Sequence, residues 1–218
     1  MSRNLRHNIS TWLIKAIQKY GPHKVSVLGR TYEIAENVFN PKFYYTSIFM
    51  AKHIKVQPDD LVLDMGTGSG IQAITAGRAA SRIIAVDINP EAVSFAKKNV
   101  IANGLENRIS VIQSDLFASL NSGHRFDVIL FTPPYLIGII KTNFDHALFD
   151  PNKELAYRFF RDAGDYIKPN GYVQMLYSSV AGPEKILEIP GQLGWKHSLM
   201  AREKTFSEEF LIYKFTLI

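Results

Sequence analysis

The chain has 218 residues, of which 46% are hydrophobic and 21% charged, a composition that suits one domain with a sizeable core and argues against disorder. Cysteine is absent from the sequence, which excludes disulfides, thiolate metal sites and a cysteine nucleophile. The net charge is +5, and no apolar run approaches the roughly 20 residues of a membrane span. Because the first seven residues contain no apolar signal core, we expect a cytoplasmic protein.

The basic excess lies at the front of the chain. Residues 1–55 contain nine lysines and arginines against two glutamates, a net charge of +7, whereas the remainder carries −2. One interpretation is a patch for RNA, DNA or an acidic protein surface. The other is a solvated basic face on a small extension, since no block of consecutive basic residues occurs.

The first 36 residues are predicted to form a helix and a hairpin. Helical spacing predicts a helix over residues 8–20, which Gly21-Pro22 ends. Two short runs, over residues 25–28 and 31–35, predict a hairpin with its turn at Gly29-Arg30. We therefore expect an N-terminal extension over residues 1–36 and a main domain over residues 37–218.

Strands and helices alternate through the main domain. Strands are predicted over residues 61–65, 83–87, 109–113, 126–131, 172–177, 195–201 and 210–217. Helices are predicted over residues 47–54, 69–80, 90–103, 153–167 and 183–188. The alternation is typical of an α/β, doubly wound, Rossmann-like fold with a mostly parallel seven-stranded sheet covered on both faces. The tight connection over residues 202–209 makes the last two strands a hairpin, hence one antiparallel strand at or near an edge.

The most informative stretch, Asp64-Met65-Gly66-Thr67-Gly68-Ser69-Gly70, follows the first strand of this sheet. Glycines at every second position let the chain turn tightly and approach a ligand closely, and the next helix presents free N–H groups at its start. A nucleotide-like ligand is therefore expected there. The spacing differs from the G-x-G-x-x-G dinucleotide fingerprint. It resembles the first motif of the class I methyltransferases that use S-adenosylmethionine (SAM).

Two aspartates follow the next two strands. Asp87 ends the second strand and is expected to accept hydrogen bonds from ribose hydroxyls; the alternative is a strand-end aspartate that begins a turn. Asp115 follows the third strand and is expected to accept from the adenine amino group; the alternative is a cap of a short helical turn. Leu116 or Phe117 would cover one face of the adenine, and Ile88 the other.

Thr132-Pro133-Pro134-Tyr135 ends the fourth strand. The two prolines fix a rigid turn and leave the Pro133 carbonyl free to point outward, and Tyr135 offers a flat face for a planar substrate. The stretch resembles the (Asn/Asp/Ser)-Pro-Pro-(Tyr/Phe/Trp) motif of SAM-dependent N-methyltransferases. That resemblance implies that these four residues are catalytic: residue 132 and the first proline carbonyl hold an amide or exocyclic amine, and the aromatic ring stacks on it.

The wider pattern carries the resemblance further. Residues 87–93, 114–117 and 126–135 resemble the release-factor glutamine N5-methyltransferases and the related small-domain methyltransferases of ribosomal RNA, over about residues 36–217. In those families a proline and a threonine, here Pro41 and Thr46, lie near the methionine end of SAM. The C-terminal part looks most like the compact archaeal and eukaryotic-type enzymes, which commonly work with a small activating partner protein.

One position departs from the pattern, because the usual asparagine is Thr132 here. An asparagine amide pairs with a carboxamide through both a donor and an acceptor, whereas a threonine hydroxyl carries one donor and two lone pairs on a single atom. We expect direct methyl transfer from SAM to a nitrogen of a macromolecule, either a protein glutamine or a nucleic-acid base. Thr132 leaves open a small-metabolite acceptor, or a catalytically silent SAM-binding subunit that supports a partner.

The remaining candidates are pocket residues or structural ones. Asp145 and His146 could touch the substrate or be ordinary loop residues, and Tyr44 and Tyr45 could wall the pocket or pack in the core. No metal is expected. The predicted SAM contacts are Thr46, Asp64, Gly66, Thr67, Gly68, Gly70, Asp87, Ile88, Asp115 and Leu116.

Overall fold

The computed structural model describes residues 18–206 and 208–218. Its strands are β1 (Lys24–Val27), β2 (Arg30–Glu33), β3 (Leu61–Met65), β4 (Arg82–Asp87), β5 (Ile109–Gln113), β6 (Phe126–Phe131), β7 (Ile167–Ser178), β8 (Trp195–Lys204) and β9 (Glu209–Leu217). Its α-helices are α1 (Tyr45–His53), α2 (Ile71–Ala76), α3 (Pro90–Ala102), α4 (Glu154–Ala163) and α5 (Pro183–Gln192). Residues 18–20 are helical. The rest of the helix predicted over residues 8–20 lies outside the described residues.

The main sheet has seven strands in the order β5-β4-β3-β6-β7-β9-β8. Strands β3 to β7 run parallel to one another, and β9 runs antiparallel to both β7 and β8. This confirms the predicted doubly wound, mostly parallel sheet with one antiparallel strand next to an edge. The chain order reverses between β3 and β6, which creates a crevice outside their carboxyl ends, where open α/β sheets bind ligands.

Side chains of the central strands alternate between two buried clusters, one on each face of the sheet. Val62 and Leu130 belong to the first cluster, and their neighbours Leu63 and Ile129 belong to the second. The four side chains are 0% exposed. Because both faces are buried, these strands are apolar along most of their length, as parallel strands covered by helices usually are.

The β1–β2 hairpin corrects one prediction by a residue. Its turn lies at Leu28-Gly29, not at Gly29-Arg30, because β2 already begins at Arg30. Both turn residues have positive φ, 51° for Leu28 and 73° for Gly29, as a type I′ hairpin turn requires. A leucine is an unusual residue for that conformation, so the turn was predicted one residue late.

The hairpin packs on the main domain. Val25 and Tyr32 share the first buried cluster with Ala96 of α3. Asn99 of α3 accepts a hydrogen bond from the backbone N–H of Glu33 at 2.7 Å and donates to the Glu33 carbonyl at 2.9 Å. The boundary between residues 36 and 37 stays a prediction.

Helix α2 is shorter than the predicted 69–80. It begins after Gly70, because Gly70 itself has φ 85°, and it ends at Ala76, before Gly77. Helix α4 likewise ends at Ala163 instead of residue 167, since β7 begins at Ile167 and pairs there with Phe126.

Other boundaries shift by a few residues. Helix α1 occupies Tyr45–His53 and α5 extends to Gln192. Within the part of the chain that the structure describes, no helix is long and apolar enough to cross a membrane.

Candidate active site

A cavity of about 950 Å³ opens at the carboxyl ends of β3, β4 and β6 and continues past the end of β5. Thirteen of the fourteen residues predicted for the site line it, and only Gly70 does not. A volume of this size lies within the roughly 300–1,000 Å³ typical of small-molecule sites. The thirteen are Thr46, Asp64, Gly66, Thr67, Gly68, Asp87, Ile88, Asp115, Leu116, Thr132, Pro133, Pro134 and Tyr135.

The glycine loop connects β3 to α2 through left-handed backbone. Gly66, Gly68 and Gly70 have φ values of 67°, 54° and 85°. A Cβ at Gly68 would meet no atom of the described residues within 4 Å, so the backbone there faces open space. At Gly70 a Cβ would lie 3.5 Å from both Ala96 and Ile74. Gly68 therefore exposes backbone to the cavity, whereas Gly70 lets the start of α2 pack against α3.

Asp64 fixes the conformation of the glycine loop through hydrogen bonds. Its side chain is 1% exposed, and its Oδ2 accepts hydrogen bonds from the Thr67 hydroxyl at 2.6 Å and the Ala73 N–H at 3.0 Å. Burial raises the pKa of Asp64 to about 7, and these hydrogen bonds oppose that shift. Asp64 lines the cavity, and its hydrogen bonds fix the conformation of the loop.

Asp87 connects the end of β4 to the same loop. Its Oδ2 accepts from the Gly68 N–H and its Oδ1 from the Asn89 N–H, both at 2.9 Å. An ionised carboxylate has about four lone-pair sites, so the Asp87 carboxylate can accept at least one more hydrogen bond. Burial raises the pKa of Asp87. Ile88, which follows, is 45% exposed and lines the cavity.

Asp115 forms an ion pair that its sequence context does not predict. Arg158 of α4 donates to its Oδ2 at 2.8 Å, and both side chains are partly exposed. Leu116 is buried and has φ 48°, a conformation braced by the Ser114 hydroxyl, which donates to the Leu116 carbonyl at 2.8 Å. The aspartate and the apolar side chain are thus held in fixed positions at the cavity wall.

The Thr132-Pro133-Pro134-Tyr135 segment follows β6, the neighbour of β3, so it faces the glycine loop across the crevice. The Thr132 hydroxyl is buried and has no hydrogen-bond partner within the described residues. Burial raises the pKa of the Tyr135 hydroxyl well above its usual range, and the negative charge of Glu208 adds to the shift. Lys153 donates to the Tyr135 carbonyl at 3.3 Å.

The loop after Tyr135 closes one side of the cavity. Leu136 pairs with Phe149 in an isolated bridge. Asp145 is buried and its Oδ2 accepts hydrogen bonds from the Lys141 and Thr142 backbone at 3.0 and 2.9 Å, so it braces this loop. His146 is exposed and lines the cavity.

Helix α1 forms another wall of the cavity. Tyr44 and Tyr45 line it together with Thr46, whose side chain is 8% exposed. Tyr45 also packs against Phe210 of β9, with ring centroids 5.2 Å apart. The Tyr45 ring therefore both lines the cavity and packs in the core, so the two interpretations of this residue hold together.

Polar residues that the sequence did not single out also line the cavity, among them Gln72, Arg158 and Glu208. Gln72 and Arg158 lie on helices that carry no motif, and Glu208 lies in the short connection between β8 and β9. Their positions depend on which elements meet at the crevice. The predicted tight connection over residues 202–209 was the one signal available for Glu208.

Comparison with known proteins agrees with this geometry. The family model for the methyltransferase small domain matches residues 34–206. A Methanocaldococcus jannaschii protein, provisionally named a protein N5-glutamine methyltransferase, is 35% identical over 196 residues, which cover 87% of this chain and 93% of that protein. A tRNA1(Val) (adenine(37)-N6)-methyltransferase of Glaesserella parasuis is 31% identical over 144 residues, 61% of this chain and 57% of that protein.

Other matches are shorter or more distant. Bacterial release factor glutamine methyltransferases match as well, and the chain spans half or less of their length. Among solved structures, the E. cuniculi Mtq2–Trm112 complex, which methylates the translation termination factor eRF1, matches with a TM-score of 0.58 at 19% identity, over 84% of this chain and 99% of that one. That likeness concerns the fold. The family match and the M. jannaschii relative together show that the chain belongs to the methyltransferase small domain family.

Proposed function

We propose that the chain transfers a methyl group from SAM to a nitrogen of a macromolecule, with the side-chain amide of a protein glutamine as the leading acceptor. The observation that carries this proposal is the shared cavity. The glycine loop, the strand-end aspartates and Thr132-Pro133-Pro134-Tyr135 are far apart in sequence and meet at one crevice. A cofactor and an acceptor nitrogen can therefore be held next to each other.

The residues present fit SAM as the methyl donor. The open backbone at Gly68 leaves room for a ligand, and a methyl group on that residue would occupy the space. Asp87 has the spare lone pairs to accept from ribose hydroxyls, and Oδ1 of Asp115 is free of the Arg158 ion pair and can accept from an amino group. When bound, SAM supplies an activated methyl group on a sulfonium, so the protein contributes alignment and electrostatics.

The acceptor nitrogen would be held by Thr132, Pro133 and Tyr135. The unpaired Thr132 hydroxyl can accept one N–H, and the Pro133 carbonyl can accept a second. The Tyr135 ring can stack on a planar amide or base. An orphaned buried hydroxyl is costly, and a ligand that hydrogen-bonds to it removes that cost. This set favours a planar, N–H-bearing acceptor.

The choice of protein glutamine rests on the M. jannaschii relative, which the chain matches over nearly its whole length. A nucleic-acid base is the second candidate, favoured by the tRNA-modifying relative and by the basic excess of residues 1–55. A metabolite acceptor and a silent SAM-binding subunit are the remaining alternatives. A small activating partner protein is part of the proposal, since the fold neighbour Mtq2 is found in complex with Trm112.

The test is transfer of radiolabelled methyl from SAM into a cell extract that is then separated into protein, RNA, DNA and small-molecule pools. Label in protein, mapped to glutamine, supports the leading acceptor. Label in RNA or DNA supports the second candidate. Label only in small molecules would contradict the macromolecular assignment. SAM binding without transfer to any pool, even with extract supplying partners, would favour the silent subunit.

A further inference from the structure

Glu208 places a carboxylate in the catalytic cavity that none of the sequence motifs accounts for. It lies in the connection between β8 and β9, two residues before Phe210. Phe210 pairs with Ser178, the last residue of β7, and β7 is the direct neighbour of β6. The β8–β9 connection therefore lies at the same end of the sheet as Thr132-Pro133-Pro134-Tyr135, and Glu208 lines the same cavity.

The Glu208 carboxylate is oriented by its neighbours. The fully buried Ser178 hydroxyl donates a hydrogen bond to Oε2. The Thr205 hydroxyl and backbone N–H both donate to the Glu208 carbonyl, at 2.7 and 2.8 Å, which fixes the tight connection. The other carboxylate oxygen, Oε1, accepts no hydrogen bond from residues 18–206 or 208–218. Glu208 and Tyr135 line the same cavity, and the negative charge of Glu208 adds to the raised pKa of Tyr135.

A primary amide or amine needs acceptors for its N–H groups and a destination for one proton. Thr132 supplies a single acceptor atom, where an asparagine would present a whole amide. An ionised carboxylate only accepts hydrogen bonds, so it matches an N–H-bearing acceptor and repels a carboxylate-bearing one. A carboxylate that lines the same cavity as Thr132 meets both needs.

We propose that Glu208 is a catalytic residue that accepts a hydrogen bond from the acceptor nitrogen and takes the proton which that nitrogen loses. This inference rests on the proposed function. As the nitrogen lone pair forms the new N–CH3 bond, the S–CH3 bond breaks and its electron pair stays on sulfur. The methylated nitrogen carries the positive charge until its proton moves to Oε1 of Glu208 and then to solvent, so atoms and charge balance.

The experiment measures single-turnover methyl transfer at saturating SAM into the extract pool that the wild type labels. It compares the wild type with Glu208→Gln, Ser178→Ala and the control Glu209→Gln. Glu209 is adjacent in sequence, does not line the cavity, and pairs with Arg202 at 3.4 Å. Glutamine can keep a hydrogen bond to Ser178 but cannot take a proton. SAM affinity and thermal unfolding are measured for each variant, so that loss of folding or of cofactor is seen separately.

We expect Glu208→Gln to slow transfer by about 10²–10⁴-fold, the usual contribution of a general base, with unchanged SAM affinity. Ser178→Ala should lose less, because the carboxylate remains, and Glu209→Gln should match the wild type. Glu208→Gln within twofold of the wild type, with wild-type transfer intact, would overturn the role of Glu208 and leave the proposed function standing. A wild-type protein that binds SAM but transfers no methyl would overturn both.

Discussion

Replacing Gly68 by alanine tests whether the glycine loop lies against the cofactor. The chain offers a matched control in Gly104, which follows α3 and does not line the cavity. Both glycines are in the left-handed region, with φ values of 54° and 67°. At both positions an added Cβ would meet no atom of the described residues within 4 Å. The two substitutions therefore introduce the same backbone strain into the folded protein. They differ only in the surroundings of the added methyl group, which faces the cavity at Gly68 and not at Gly104.

The magnitudes follow from this geometry. Left-handed strain of roughly 1–2 kcal/mol is partly offset by the lower entropy of the unfolded chain, which leaves a net loss of about 1 kcal/mol in either variant. For a chain of this size that loss lowers the melting temperature by about 2–4 °C. In Gly68→Ala alone, the methyl group also enters space that SAM would occupy. Overpacking costs typically 1–3 kcal/mol, so the Kd for SAM should rise roughly 5- to 150-fold.

Isothermal titration calorimetry with SAM, combined with thermal unfolding of the unliganded proteins, separates the two effects. Gly68→Ala and Gly104→Ala should melt at similar temperatures, and Gly104→Ala should bind SAM as the wild type does. If Gly68→Ala bound SAM with wild-type affinity, the placement of the loop against the cofactor would be refuted.

Thr132→Val should not destabilise the unliganded protein, because it removes a costly buried hydroxyl that has no partner within the described residues. It should lower kcat/KM for methyl transfer by roughly 5- to 150-fold, the loss of one buried hydrogen bond; wild-type kinetics in that variant would remove Thr132 from the site. Arg158→Ala should weaken SAM binding several-fold by freeing the Asp115 carboxylate to rotate, whereas Arg161→Ala, which breaks the exposed pair with the adjacent aspartate, should not; equal effects in calorimetry would contradict this. Burial raises the pKa of Asp64 to about 7, so the contribution of protonated Asp64 to the free energy of unfolding is fully present below about pH 4 and is lost as the pH rises toward 7. Asp64→Asn should therefore gain stability relative to the wild type over that range in denaturant unfolding. A pH-independent difference between the two proteins would count against the raised pKa. Neutralising three lysines near the N-terminus should raise KM for a macromolecular substrate more at low salt than at high salt, and an unchanged KM would remove that surface from substrate binding. These lysines are Lys15, which lies outside the described residues, Lys19 and Lys24.

Three strands of the parallel part of the sheet could be predicted to the residue. β3, β5 and β6 coincide with their predicted bounds because each is rich in apolar residues and is flanked by polar residues or glycine. The motif residues at the ends of these strands were predictable for the same reason, since parallel strands bring their carboxyl ends to one edge. The Leu28-Gly29 turn was missed because leucine rarely adopts positive φ.

Partners contributed by distant elements could not be predicted. Arg158 meets Asp115 because α4 packs beside the end of β5, and nothing near either residue in sequence indicates the pair. Glu208 reaches the cavity because β9 inserts between β7 and β8. Local patterns specify elements and their ends, whereas these contacts depend on sheet order and helix packing.

The most direct test of the central claim is mass-spectrometric mapping of the methyl group that the protein transfers from SAM to its acceptor. The account predicts a single methyl group on the side-chain amide nitrogen of a glutamine in a protein, formed more slowly when the reaction contains the Gly68→Ala variant at a SAM concentration below its raised Kd. A methyl group found on carbon or oxygen, or on a small metabolite, would contradict it.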